Sequence, residues 1–300
     1  MRISTSWHQQ LGVNAMLDQQ SKLSDIQMKL SSGKKYLTPS ENTVVATSLI
    51  DLDQTIKENQ QYQVNIGSAR QRLSLEETSL SSATDVLQNI RELAIQGLNG
   101  SNNADNRKQI ADKIDQLNKQ LMGIANTQNA NGEYIFSGYK SDQQSFTDTP
   151  YAYHGDANTR GIAIGPNRQV TDGDPGESVF GTVSAGPLTA GNIDNVFQAV
   201  AKLSSDLRAN APNTASLTDI DKSMIRINTT EASVGARLSA LDSQENLNAD
   251  YILDHQKTAS AIGDLDYASA LSQFNLQQIA LQAAQQAFVK VQDLSLFKYL

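Results

Sequence analysis

There is no cysteine in these 300 residues. That excludes disulfides, zinc–thiolate sites and cysteine nucleophiles. Tryptophan occurs once, at Trp7, and histidine three times, at His8, His154 and His255. The histidines fall on three different predicted elements, with no pair at metal-ligand spacing. No G-x-S-x-G and no phosphate-cradling Gly-rich loop is present, so nucleophile–base and phosphate chemistry lack their motifs. Basic charge is short too: the net charge is -8 and the longest basic run is Lys34-Lys35. A nucleic-acid binder needs a basic stripe, and anionic membrane surfaces repel a chain of this sign. No apolar run approaches the roughly 18 residues of a membrane span, so neither nucleic acid nor membrane insertion is expected. The opening residues, Met1 to Gln10, hold no apolar stretch of a cleavable secretion signal.

One acidic cluster stands out, Asp172-Gly173-Asp174-Pro175-Gly176-Glu177. Hard cations favour such carboxylates, but the spacing is not that of an EF-hand loop. Asp-Gly and Pro-Gly are ordinary turn dipeptides, and no apolar pocket surrounds them in sequence to shift a pKa. No catalytic, cofactor-binding or metal residue is assigned.

What the chain has in quantity is helical periodicity. Met16, Leu23 and Leu30 recur every seven residues, with Ile26 between them. Near the other end Leu276, Ala280, Ala283, Ala287, Val291 and Leu294 recur at steps of three and four, with Leu281 and Phe288 beside them. Such spacing draws an apolar stripe along a helix, which needs another helix of this chain or of a neighbour to cover it. The given sequence ends inside the apolar run Leu294–Leu300, whereas loose termini are usually polar. These twelve residues are the predicted assembly interface.

Between the ends the strongest pattern is Val45, Leu52, Asn59, Ile66, Leu73, Leu80, Leu87 and Ala94, all at seven-residue intervals. A helix of about 50 residues is roughly 75 Å long. Asn59 and Glu76 are its polar exceptions, read equally as register-setting groups or as exposed weak spots. Asn99-Gly100-Ser101-Asn102-Asn103 predicts a turn, followed by a helix whose face is Ile110, Ile114, Leu117, Leu121 and Ile124. The period then changes to two. Asn131-Gly132 signals a hairpin turn, Glu133 to Tyr139 a strand, and Ser178 to Val183 an apolar patch of a Gly- and Pro-rich β region. Helix resumes near Asn192, breaks at Asn210-Ala211-Pro212-Asn213, and a long seam runs through Leu217, Ile220, Met224, Ile227, Val234, Leu238 and Leu241. A terminal helix starts near Asp266.

The expected fold is mainly α: a long antiparallel helical bundle or coiled coil built from both chain halves, with a small β-rich inserted domain. The divisions are 1–42 with 263–300 as terminal assembly region, 43–136 with 192–262 as helical rod, and 137–191 as outer insertion. The predicted rod seam is Leu52, Ile66, Leu73, Leu80, Leu87, Leu217, Met224, Val234, Leu238 and Leu241.

Several short motifs carry a family resemblance. They are Met1-Arg2-Ile3-Ser4-Thr5, Leu30-Ser31-Ser32-Gly33-Lys34-Lys35 with Pro39-Ser40, Arg91-Glu92-Leu93-Ala94-Ile95-Gln96 with Asn99-Gly100, and Asn131 through Tyr139. A fifth is the stretch from Ala283 to Phe297. On these residues the chain resembles the flagellin superfamily, and within it the hook–filament junction family. Ser40-Glu41-Asn42-Thr43 departs from the superfamily's S-D-D-P, and the β insertion matches no motif. The resemblance implies a structural subunit of the bacterial flagellum with no catalytic residues. It implies export by the flagellar type III apparatus without a cleaved signal, and an extracellular location. The implied partners are the first junction protein, flagellin, neighbouring copies in a ring, and an export chaperone at the C-terminal helix. It further implies mobile terminal helices in the free subunit. Two alternatives stand beside it: a short flagellin forming the filament itself, and a free-standing coiled-coil secreted protein.

Overall fold

The structure is a computed structural model that describes residues 2–181 and 194–293, with side chains at 7, 10–181 and 194–290, residues 8 and 9 excepted. The elements run α1 (Arg2–Ser32), α2 (Thr43–Leu98), α3 (Ala104–Ala125), β1 (Gly161–Gly165), β2 (Arg168–Thr171), α4 (Gly176–Phe180), α5 (Val196–Arg208), α6 (Thr214–Gly263) and α7 (Tyr267–Asp293). The mainly α fold with a small β insert is therefore as the periodicities indicate. The chain divides into two compact units, Met1–Glu58 with Asp250–Leu300 and Asn59–Ala249. The divisions read at 42/43 and 262/263 fall inside the first unit, and residues 137–191 share the second unit with its helices.

Helix ends follow their local chemistry. Gly33 takes φ +68° just past α1, the left-handed stop that glycine accepts without strain. Asn42 Oδ1 accepts from Val45 N–H at 3.1 Å, so the departure from S-D-D-P still supplies a side-chain cap for α2. Asn103 and Asn195 cap α3 and α5 in the same way, through Asn106 N–H and Gln198 N–H.

In the second unit the heptad positions of α2 form the core. Ile66, Leu73, Leu80 and Leu87 are fully buried, as are Ile220, Ile227, Val234 and Leu241 of α6. Leu217, Met224 and Leu238 are partly buried against them. Helices α3 and α5 add Ile114, Leu121, Phe197 and Leu203.

Two local expectations fail. Glu133–Tyr139 is not a strand: the Asn131-Gly132 turn forms, with Gly132 at φ +80°, but pairing stops at one bridge, Gln128 to Tyr134. Gly138 at φ +64° turns the chain away, and Ser137 O accepts from Lys140 and Asp156 N–H instead of from a ladder partner. Ser178–Val179–Phe180 belongs to the one-turn helix α4, whose start follows Pro175. Val183 and Ile193 lie outside the described residues. The only regular strands among the described residues, β1 and β2, pair antiparallel from Gly161–Thr171 to Gly165–Arg168.

Phe146 and Phe180 of the insertion reach the core beside Phe136 and Phe197. Phe136, Phe146, Phe180 and Phe197 are all buried. Phe136 and Phe146 meet Phe180 edge-on at 5.2 and 5.9 Å, and Phe146 meets Phe197 at 4.9 Å. These are the favoured geometries of aromatic pairs, and they join the insertion to α5 through one cluster.

Candidate functional site

The first unit is built on the pairing of α1 with α7. On α1 the half-buried positions include Gly12, Met16, Gln19, Leu23, Ile26 and Leu30, with Val13 and Lys29 beside them; on α7 the inward positions are Ala270, Phe274, Gln277, Leu281, Ala284 and Phe288. Both sets step by three and four, the spacing of a coiled-coil seam. Knobs and holes are visible at two places. A Cβ on Gly12 would stand 3.0 Å from Phe288 Cδ2, and Gln19 Nε2 donates to Gln277 Oε1 across the seam. The pairs Gly12–Phe288 and Gln19–Gln277 run in opposite chain directions, so the helices are antiparallel.

A backbone clasp closes the pair where α1 ends and α7 begins. Lys35 N–H donates to Gly263 O and Leu265 N–H donates to Gly33 O, both at 2.9 Å. Lys34 Nζ and Asp264 Oδ1 are 2.9 Å apart beside it. Hydrogen bonds from Ser260 and Lys34 lower the Asp264 pKa. Glu41 is lowered by Lys29 and then by Leu37 N–H, which ties the residues after α1 back to it. Both carboxylates are exposed, so these contacts orient more than they stabilise.

This unit has little interior. Among the described residues, Ala270 is its one buried apolar side chain. Its exposed apolar residues are many, including Leu11, Leu17, Met28, Leu271, Leu276 and Ile279. Full burial of such a side chain contributes about 1.5–3 kcal/mol, and here that contribution is largely unrealised.

The predicted interface residues separate accordingly. Met16, Leu23, Ile26, Leu30, Leu281 and Phe288 lie in the seam within this chain. Leu276 is 64% exposed, and Ala280, Ala283 and Ala287 are exposed with it. Those four form a second stripe along α7, which none of the described residues of the unit covers. The side chain of Val291 and all of Leu294 lie outside the described residues. Of the rod seam, Leu52 is half-buried in this first unit and the rest are in the second. Sequence reading missed Phe274 and Ala284; the seven-residue spacing of Phe274, Leu281 and Phe288 was the available signal.

Polar side chains on and beside the seams of the second unit have partners. Asn65 Nδ2 donates to Ala163 O at 2.7 Å and Asn248 Nδ2 to Ile164 O at 2.9 Å. Gln244 Nε2 donates to Asn248 Oδ1, and Arg168 to Gln244 Oε1. These side chains thus hold strand β1 against α2 and α6. Glu76, 1% exposed, accepts from Asp174 N–H at 3.1 Å. Arg237 of α6 pairs with Asp174 and donates to Thr171 Oγ1 at 2.9 Å. Buried Asp172 is flanked by Arg72 and Arg160. The acidic cluster is therefore an arginine-neutralised clamp. Burial, then the charge of Asp174, raises the Glu76 pKa to about 8, with Arg237 opposing, so Glu76 is mostly protonated at neutral pH.

Comparison with known proteins places this architecture. The bacterial flagellin N-terminal helical region matches residues 3–141 and the flagellin C-terminal helical region matches residues 217–300. The chain is 30% identical to flagellar hook-associated protein 3 of Escherichia coli K12, over 99% of both chains. It is 26% identical to flagellin FlaB2 of Treponema pallidum, over 85% of this chain and 83% of that one. The crystal structure of the flagellar junction protein FlgL from Legionella pneumophila superposes with a TM-score of 0.60 at 20% identity, covering 74% of this chain and all of that one.

Proposed function

Since the chain belongs to the flagellar hook-associated protein 3 family, we propose that it is a structural subunit of the bacterial flagellum, an adaptor at the junction between hook and filament. The observation that carries this reading is the uneven burial. The second unit has a continuous core, whereas the first exposes a full apolar stripe on α7 and buries only Ala270 among its described apolar side chains. A unit of that kind gains its missing burial from neighbours. The stripe of Leu276, Ala280, Ala283 and Ala287 is the part offered to them.

On this reading the protein has no catalytic role. Copies stand side by side in a ring, with the first junction protein on one side and flagellin on the other. The subunit leaves the cell through the flagellar type III apparatus without a cleaved signal, and a chaperone covers α7 until then. The terminal helices of the free subunit are mobile, because half-covered seams return too little burial to offset the entropy of ordering.

A second reading, a short flagellin forming the filament itself, draws on the flagellin likeness of both arms. Full-length identity to the hook-associated relative favours the adaptor. Gene deletion separates them. Bare hooks with flagellin shed into the medium support the adaptor; bare hooks with little flagellin anywhere support the filament subunit; normal filaments overturn both.

A further inference from the structure

We propose that Asn99 is a self-modifying residue, whose side-chain amide is attacked by the Gly100 backbone nitrogen so that it converts to aspartate and isoaspartate. Asn99 and Gly100 are exposed in the turn between α2 and α3. Glycine leaves the nitrogen sterically open, and among the described interactions the Gly100 N–H makes no hydrogen bond.

Both reacting groups are activated by neighbours. The electrophile is Asn99 Cγ. Its Oδ1 accepts from Ser101 N–H and from Ser101 Oγ–H, each at 3.1 Å. These donors polarise the carbonyl and meet the negative charge that gathers on Oδ1 during attack, as an oxyanion hole does. The nucleophile is the nitrogen of the Asn99–Gly100 peptide group. When its proton leaves, the charge spreads onto Asn99 O. That oxygen accepts from Arg107 Nη2 and from Asn102 N–H, both at 3.2 Å. Hydrogen bonds to a charged form favour it, so this peptide N–H is more acidic than an ordinary one.

The step balances without an oxidant or reductant. Solvent base takes the Gly100 N–H proton, nitrogen bonds to Cγ, and the Cγ–Nδ2 bond breaks with ammonia as leaving group. Water then opens the five-membered imide at either carbonyl. The new carboxylate lies in the turn bonded by Arg107, which is 8% exposed and whose side chain otherwise donates, among the described residues, only to Gly97 O and Asn210 Oδ1, both neutral.

The other Asn-Gly pair is a built-in reference. At Asn131-Gly132 the attacking N–H is engaged, donating to Asn129 O at 3.0 Å. Among the described residues no donor reaches Asn131 Oδ1 or Asn131 O.

The test is peptide mapping by mass spectrometry after incubating the full chain at mildly alkaline pH, in native buffer and in concentrated urea. In urea the two sites should convert at similar rates. In native buffer Asn99 should exceed Asn131 by roughly tenfold or more, a barrier difference of about 1.4 kcal/mol. Ser101→Ala should slow Asn99 by about fivefold while leaving Asn131 unchanged, less than a buried oxyanion donor because the turn is wet. Native conversion of Asn99 no faster than Asn131, or an unaltered Asn99 rate in Ser101→Ala, overturns the proposal.

Discussion

The ring of Phe288 rests on Gly12, close enough that a Cβ there would stand 3.0 Å from Phe288 Cδ2. The contact joins residues from opposite ends of the chain and fixes how far α1 and α7 slide past each other. Gly12→Leu should displace the ring, at a cost of about 1–3 kcal/mol for overpacking. Incorporation into flagella should fall sharply while the main melting transition, set by the second unit, stays in place. Electron microscopy of complemented cells and a thermal melt check the two halves. Phe288→Asp and Leu281→Asp should behave alike, because each sets a carboxylate into the seam. Normal incorporation of all three would sink the pairing.

The outer stripe makes a different prediction. Leu276 and Ile279 are 64% and 63% exposed, so Leu276→Asp with Ile279→Asp should leave the free subunit's helicity unchanged. If copies pack side by side as proposed, the same carboxylates meet a neighbour and lose their water. Circular dichroism should therefore match the wild type while filaments fail to grow. Wild-type motility of the double variant would mean the stripe stays wet in the flagellum.

Asn248 tests how the insertion is held. Its amide donates to Ile164 O, and its own Oδ1 accepts from Gln244. Asn248→Leu strands a buried carbonyl and a buried amide, costing about 1–3 kcal/mol. For a domain of this size that lowers Tm by roughly 4–8 °C if the loss is near 2 kcal/mol. A melt unchanged within error would show that β1 is held by packing alone.

Long elements with an unbroken period were legible: the α2 positions from Ile66 to Ala94 all reach the core. The α7 seam was harder, because alanine and glutamine fill two overlapping three-and-four patterns, one through Leu276 and one through Phe274. Only the bulk of Phe274, Leu281 and Phe288 marks which one faces α1. The insertion resisted for another reason. Its stability comes from contacts distant in sequence, such as Glu76 to Asp174 and Asn65 to Ala163, and no local period encodes those. Glu76, a polar residue interrupting the α2 pattern, was the visible half of one such contact; Asn65, beside heptad position Ile66, gave no such mark.

Glu76 carries the pH dependence. Its pKa rises from 4.5 to about 8 on folding, so between those values the folded chain holds a proton that the unfolded chain has released. Stability then falls as pH rises, by up to about 1.4 kcal/mol per unit within that window, and this group adds no further slope above it. The groups facing it are Asp174 and, opposing, Arg237, with Asp172 held by Arg72 and Arg160 next along the loop. Glu76→Gln keeps an acceptor for Asp174 N–H and removes the titration. The variant should melt close to the wild type near pH 4.5 and progressively higher than it toward pH 8. Glu41 and Asp264 cannot mimic this, because their lowered pKa values confine their effect to pH below about 4.5. Parallel melting curves for wild type and Glu76→Gln from pH 5 to 8 would mean that Glu76 is ionised in the folded chain, with Arg237 shared between two carboxylates.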